Sequence, residues 1–326
     1  MTVIGADRYP AAPVVSPTQW MNALAADFLV PGYAKLAAQA RQLDRTTRTL
    51  CQPSAATLTQ AQTEWRAVAR QWRELEALPI GPTLERRSVR RFDFWPTRPQ
   101  QVEDAIANPP AASAAIGVSA QGLAALEYLL FENPRRLSDE PARCRYAALL
   151  AGAFADEAAA LATVWRGWRA RWSKEDIDPK ISKAALTDAF NATLGTLEQL
   201  RLRKLEKPAR PRGDREPLFD AWRSGATRAH LLATFGGVRV VLTGGVSGIG
   251  LNSVVRGMGL HPLATRIEND VRAVAAALQA LPAVPSQNPS ALKQATAAIA
   301  RLQVTLSGDV AKALNVMIGF NESDGD

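Results

Sequence analysis

Apolar residues recur along this chain at alternating spacings of three and four, the period of an α-helix. Leu58, Ala61, Trp65, Val68, Trp72 and Leu75 fall on one stripe, with Arg66, Arg70, Arg73 and Glu74 largely off it. Leu78-Pro79-Ile80-Gly81-Pro82 then ends the helix, since two prolines and a glycine cannot continue it. Upstream, Ser16-Pro17 reads as an N-cap with proline in the first turn. The helix it opens carries Trp20, Leu24 and Phe28 and is expected to kink at Pro31-Gly32. Residues 143–172 carry Tyr146, Leu150, Phe154, Leu161, Trp165, Trp168 and Trp172. Phe190, Leu194 and Leu197 mark a helix over 181–205. Ile267, Val271, Val274 and Leu278 mark one over 262–281, and Ile299, Leu302, Leu306 and Val310 one over 289–316. Six or more long amphipathic helices with short connectors predict an all-α protein built from helical bundles.

The stretch 204–217 breaks the pattern with three prolines, a glycine and several basic residues, so it reads as an exposed linker. It divides the chain into an N-terminal bundle over 16–203 and a C-terminal bundle over 204–326; the helix at 181–205 could belong to either. The apolar runs at 147–154 and 158–165 are interrupted by Asp156, Glu157 and Arg166, short of the roughly 20 residues that a bilayer requires.

The chain has 326 residues, 47% of them hydrophobic and 21% charged, which excludes a disordered chain. The net charge of +8 permits contact with nucleic acid or anionic lipid. Lys204, Lys207, Arg210, Arg212 and Arg215 concentrate it in the linker without aromatic platforms or a reading helix, so nucleic acid is not expected as a partner. Weak attraction to an anionic membrane surface stays open. Cys51 and Cys144, far apart and outside any CxxC pair, fit one disulfide or two buried thiols equally well. With only His230 and His261 and no HExxH, a histidine-rich metal site cannot be built. The first 17 residues lack the apolar core of a secretory signal, leaving a cytoplasmic protein or one whose leader is removed.

Thr243-Gly244-Gly245-Val246-Ser247-Gly248-Ile249-Gly250 matches the phosphate loop of short-chain dehydrogenases, after a possible strand at 238–242. The residues beyond Gly250 read as helices rather than further strands, and no Tyr-x-x-x-Lys appears among them. The segment is therefore expected to be a glycine-rich loop between two helices. Arg91-Phe92-Asp93-Phe94-Trp95-Pro96 places an aromatic ring from a loop, either plugging a bundle end or walling a pocket. Glu127 borders the stripe of Leu123, Leu126 and Leu130; by its own pattern it reads as a solvated helix edge rather than a pocket carboxylate.

Taken together, these segments resemble the imelysin-like family (peptidase family M75), bacterial envelope proteins that include an iron-regulated group. Gly122–Phe131 is similar to its GxHxxE signature with the trailing Tyr-Leu-Leu-Phe. Glu64-Trp65-Arg66, Trp72, Gly81-Pro82, Phe94-Trp95-Pro96, Arg143-Cys144-Arg145-Tyr146-Ala147, Trp222-Arg223-Ser224, Thr243-Gly244-Gly245 and the C-terminal residues 318–326 match its other marks in order. The resemblance implies two packed helical bundles with the signature at their interface, export to the periplasm with the leader removed, and a Cys51–Cys144 disulfide. Gly122 and Glu127 match the signature, but Ala124 stands where the family has histidine, and alanine can neither ligate a metal nor carry a proton. His230 or His261 could substitute only if the fold brings one beside Glu127. The expectation is a non-catalytic or weakly catalytic envelope protein with no cofactor and no complete metal site. It would bind a partner protein or an iron-associated ligand in an interbundle cleft near Glu127, Gly122, Trp95, Arg91 and Ser224. The rival is a metal-dependent peptidase with Glu127 as base; a third reading is an oxidoreductase using the glycine-rich loop.

Overall fold

In a computed structural model of the chain, residues 12–51, 55–110, 115–174, 177–210 and 219–319 are described. All regular structure among them is helical. Most of the expected C-terminal family match at 318–326, from 320 on, and most of the proposed linker, 211–217, lie outside the described residues. The start of that linker is not loop: Gln199–Glu206 and Lys207–Ala209 continue the preceding helix, with Leu205 and Pro208 buried.

Local chemistry sets the helix starts. Ser16 closes a reciprocal capping box with Gln19, its hydroxyl accepting from the Gln19 N–H at 3.1 Å, and Pro17 occupies the first turn. Asp178 and Asn288 cap the Pro179–Glu198 and Pro289–Thr305 helices, each again with proline in the first turn. At Pro31-Gly32 the chain stays helical rather than breaking. The Pro17–Leu24 helix passes through a π-helical turn, Ala25–Leu29, directly into Val30–Thr49. The wider turn gives the proline ring room and removes the need for its missing N–H. Two further π turns, Gln199–Glu206 and Leu306–Val310, continue from one helix into the next in the same way, and a third, Tyr128–Glu132, ends the Gly122–Glu127 helix.

The Val30–Thr49 helix lies along Pro141–Trp172 and Ala55–Leu75, and Thr227–Thr243 also packs against Ala55–Leu75. The Pro141–Trp172 helix is long and apolar enough to cross a bilayer, but half of its most apolar window is buried in the protein, where it serves as a central core helix. Trp20, Trp65, Trp72 and Trp165 are fully buried, and three of them use the indole N–H as a tie. Trp20 donates to the Val241 carbonyl at 3.3 Å, Trp65 to the Leu123 carbonyl at 3.0 Å, and Trp165 to Thr83 Oγ1 at 3.3 Å. Cys51 and Cys144 form a disulfide with a Cα–Cα distance of 5.3 Å. Gly237 permits the closest helix approach: a Cβ there would stand 2.1 Å from the Glu74 carbonyl oxygen. That approach brings side chains of the Thr227–Thr243 helix against those of Ala55–Leu75.

The glycine-rich stretch is a loop between two helices, Thr227–Thr243 and Leu251–Gly257, with residues 238–242 helical rather than extended. Its Ser247 N–H donates to Asp27 Oδ2 at 2.8 Å, so the loop is fastened by a carboxylate rather than opened toward a phosphate.

Candidate functional site

Gly122 begins the helix that carries Glu127. Its backbone is left-handed (φ +77°), and a Cβ would lie 2.4 Å from the Phe92 carbonyl oxygen and 2.7 Å from that of Arg91. Only glycine allows this approach. It sets the short Gly122–Glu127 helix against the 88–93 segment, with all six of its residues buried.

Glu127 is 3% exposed, which corrects the solvated helix edge read from its pattern. The cause lies outside its own helix: the 219–226 turn covers it. That turn goes left-handed at Ala221 and at Gly225, aiming the Ser224 backbone inward. The Ser224 N–H donates to Glu127 Oε1 at 2.9 Å and the Ser224 hydroxyl to the same oxygen at 2.8 Å. Arg66 in turn donates to the Ser224 carbonyl at 3.1 Å. Burial pushes the Glu127 carboxyl up to about 7; the two Ser224 hydrogen bonds oppose this, and the nearby Asp220 charge adds to it.

Behind the turn lies a charged cluster that the sequence pattern did not disclose. Arg73, placed off the apolar stripe, is 2% exposed because the Thr227–Thr243 helix covers that flank. Its guanidinium donates to Asp220 Oδ2 at 2.7 Å, to Glu76 Oε2 at 2.7 Å, to Asp93 Oδ2, and through Nε to His230 Nδ1 at 3.3 Å. Lys204 adds a 3.0 Å bond to Asp220 Oδ2. Burial alone would raise the Asp220 carboxyl, but the Arg73 and Lys204 charges hold it well below the usual range. Burial lowers His230 against the opposing pull of Asp220, and that lowering favours the neutral imidazole. Because Nδ1 accepts from Arg73, the imidazole proton resides on Nε2, which has no hydrogen-bond partner among the described residues. A cavity of about 10 Å³ lies beside Lys204, Asp220, Thr227 and His230, room for about one water.

The fold thus joins Glu127 directly to Ser224. Trp95, half-buried on its loop, is connected less closely: its ring lies 5.5 Å from Lys204 Nζ, which pairs with Asp220. Arg91 turns the other way and pairs with Glu157 at 3.0 Å. His230 is committed to Arg73 rather than to Glu127, and His261 opens the His261–Gln279 helix. His230 therefore does not take the place of the histidine missing at Ala124. Among the described residues no group of three or more His, Cys, Asp or Glu side chains could hold a metal ion. The cation within the Asp220–Asp93–Glu76 cluster is the Arg73 guanidinium. A signal for close helix contact did exist in Gly237, which lies against Glu74 and Ala77, but it does not reveal which side chains that contact traps.

Solved structures share this helical arrangement. The crystal structure of an imelysin-like protein from Psychrobacter arcticum 273-4 superimposes with a TM-score of 0.78 over 95% of this chain and 100% of that one, at 19% identity. That of a putative iron-regulated protein A precursor from Parabacteroides distasonis ATCC 8503 gives 0.78 over 91% and 96%, at 15% identity. At such identities the likeness is one of fold. Iron-regulated protein A of Synechococcus elongatus is 31% identical over 140 residues, a stretch that spans 42% of this chain and 37% of that protein. The family pattern named Imelysin (Peptidase M75) matches residues 29–312, and the chain belongs to the imelysin family.

Proposed function

We propose that this protein is a non-catalytic binding protein of the bacterial cell envelope, of the kind associated with iron uptake. It would engage a partner protein or an iron-associated ligand where the 16–203 and 204–326 bundles meet, at Glu127 and Ser224. The observation that carries this reading is the state of the signature carboxylate. Glu127 is buried and taken up by two Ser224 hydrogen bonds, and Ala124 stands in place of the family's histidine. A base for peptide hydrolysis needs a water or metal-bound hydroxide within reach, and among the described residues no group of three or more His, Cys, Asp or Glu side chains stands ready to hold that metal. The Cys51–Cys144 disulfide supports an oxidising compartment. The names of the iron-regulated relatives support the link to iron.

Elemental analysis of the purified protein, alongside a peptidase assay with and without chelator, should give no stoichiometric metal and no chelator-sensitive cleavage. A bound metal together with such cleavage would establish the metallopeptidase reading instead. Titration with ferric citrate, monitored by tryptophan fluorescence, should show binding that Glu127→Gln weakens about tenfold or more, the scale of losing one charge-assisted hydrogen bond. Equal affinity in the variant would remove Glu127 from the site.

The same substitution has a stability signature. A carboxyl whose folded value lies near 7 rather than 4.5 contributes its full stability below its unfolded value. That contribution is lost as pH rises through the folded one. Glu127→Gln retains an acceptor for Ser224 and carries no charge. Thermal unfolding should therefore find it more stable than wild type at pH 8, by up to about 3 kcal/mol, with the gap closing toward pH 4.5.

A further inference from the structure

A second carboxylate organises a different face. Glu157, on the Pro141–Trp172 helix, is 5% exposed. Arg86 meets it in a fork, Nε to Oε1 at 2.9 Å and NH2 to Oε2 at 2.8 Å; Ser88 donates to Oε1 at 2.7 Å and Arg91 to Oε2 at 3.0 Å. Burial would raise this carboxyl, but the Arg86 and Ser88 hydrogen bonds and the two arginine charges hold it below the usual range. Because Arg86 and Arg91 end on the same oxygen, two like-charged guanidiniums stand side by side. Their side chains are 37% and 41% exposed, so N–H groups not used on Glu157 face solvent. One carboxylate cannot neutralise two guanidiniums. Arg87 and Arg90 add exposed charge on the same short helical segment, opposed there by Glu85 alone. Next to them Leu84 is 56% exposed, an aliphatic side chain among arginines.

Guanidiniums pre-fixed by a buried carboxylate lose little freedom on meeting an anion, and their planar fork suits phosphate oxygens. An adjacent exposed leucine is of no use to a free phosphate, but it fits the boundary between headgroups and acyl chains. We propose that this face docks on an anionic phospholipid surface, with Arg86 and Arg91 contacting headgroup phosphates, Arg87 and Arg90 adding attraction, and Leu84 entering the interface.

Co-sedimentation with phosphatidylcholine vesicles, with and without phosphatidylglycerol, tests the proposal on the full chain. Wild-type protein should sediment with the phosphatidylglycerol vesicles alone and be released as salt is raised. Arg87→Glu/Arg90→Glu should lower the bound fraction about tenfold or more, with an unchanged melting temperature because both positions lie outside the Glu157 hydrogen bonds. Leu84→Asp should weaken binding too. Equal sedimentation with both vesicle types, no sedimentation with either, or undiminished binding by the charge-reversed variant would overturn the proposal. So would release by inorganic phosphate at constant ionic strength together with wild-type binding by Leu84→Asp, the behaviour of a site for phosphate alone.

Discussion

Replacing Arg73 with methionine is expected to cost about 3–5 kcal/mol of folding stability, a loss comparable to the whole margin of many domains. The guanidinium is the hub of the buried cluster. Without it Asp220 keeps Lys204 and the His230 ring nitrogen 3.7 Å away, Asp93 and Glu76 lose their shared donor, and His230 Nδ1 loses the Nε–H that it accepts. Methionine matches much of the volume, so the loss reports uncompensated charge rather than a cavity. The pH dependence separates this from a packing defect. In wild type the Asp220 carboxyl is held far below its ordinary value, so its contribution is present above about pH 4 and is lost as pH falls further. In the variant that carboxyl reverts upward and takes a proton more readily. The stability gap measured by denaturant unfolding should therefore narrow as pH drops below about 4. Adding Asp220→Asn to Arg73→Met should recover part of the loss, since the pair is coupled and the second change removes an orphaned charge. A deficit constant across pH and additive with Asp220→Asn would show that the cluster stabilises by packing alone.

Removing the Cys51–Cys144 bond is expected to have a comparable effect. The cross-link closes a loop of 93 residues, for which the chain-entropy account gives about 4–5 kcal/mol as an upper value. Cys51 is exposed just beyond the Val30–Thr49 helix, and Cys144 is fully buried in the first turn of Pro141–Trp172. The bond therefore staples one end of the two helices that share an extended interface. A Cys51→Ser/Cys144→Ala variant leaves no thiol to mispair, and its melting temperature should fall well below that of the oxidised protein. Wild type melted in reductant should fall toward the same value. An oxidised protein no more stable than the double variant would show that strain or residual structure in the unfolded chain offsets the entropy.

The helices were legible in the sequence wherever one stripe faces one neighbour. Trp65, Trp72 and Leu75 on one helix, or Ile267, Val271 and Val274 on another, are buried as their spacing predicts. Spacing failed where a helix is covered from two sides. Arg73 and Glu127 both read as flank positions, and both are buried by segments distant in sequence, Thr227–Thr243 and the 219–226 turn. A charged residue on a flank is indistinguishable from a solvated one until the second neighbour is known. The signature resemblance grouped Glu127 with Ser224, which the fold does bring into contact. It also set Arg91 beside them, although short sequence distance from Trp95 says nothing about which carboxylate a long side chain will reach.

The π turns bear on how such a site could be added to a bundle at all. A single wide turn inside a helix, as at Ala25–Leu29 or Leu306–Val310, holds one residue more than an α-helical turn, so the helix beyond it is rotated by about 100° relative to a continuous one. The turn after Glu127 lets that carboxylate end one helix facing Ser224, while Leu129 and Leu130 return to the core and Tyr128 faces outward to Glu103. The turn at Gln199–Glu206 supplies Lys204 to Asp220, and that at Ala25–Leu29 supplies Asp27 to the glycine-rich loop. A helix with such a joint serves two partners with two different faces. In genetic terms, a single inserted codon can re-aim a side chain while every residue downstream finds its old neighbours one step later.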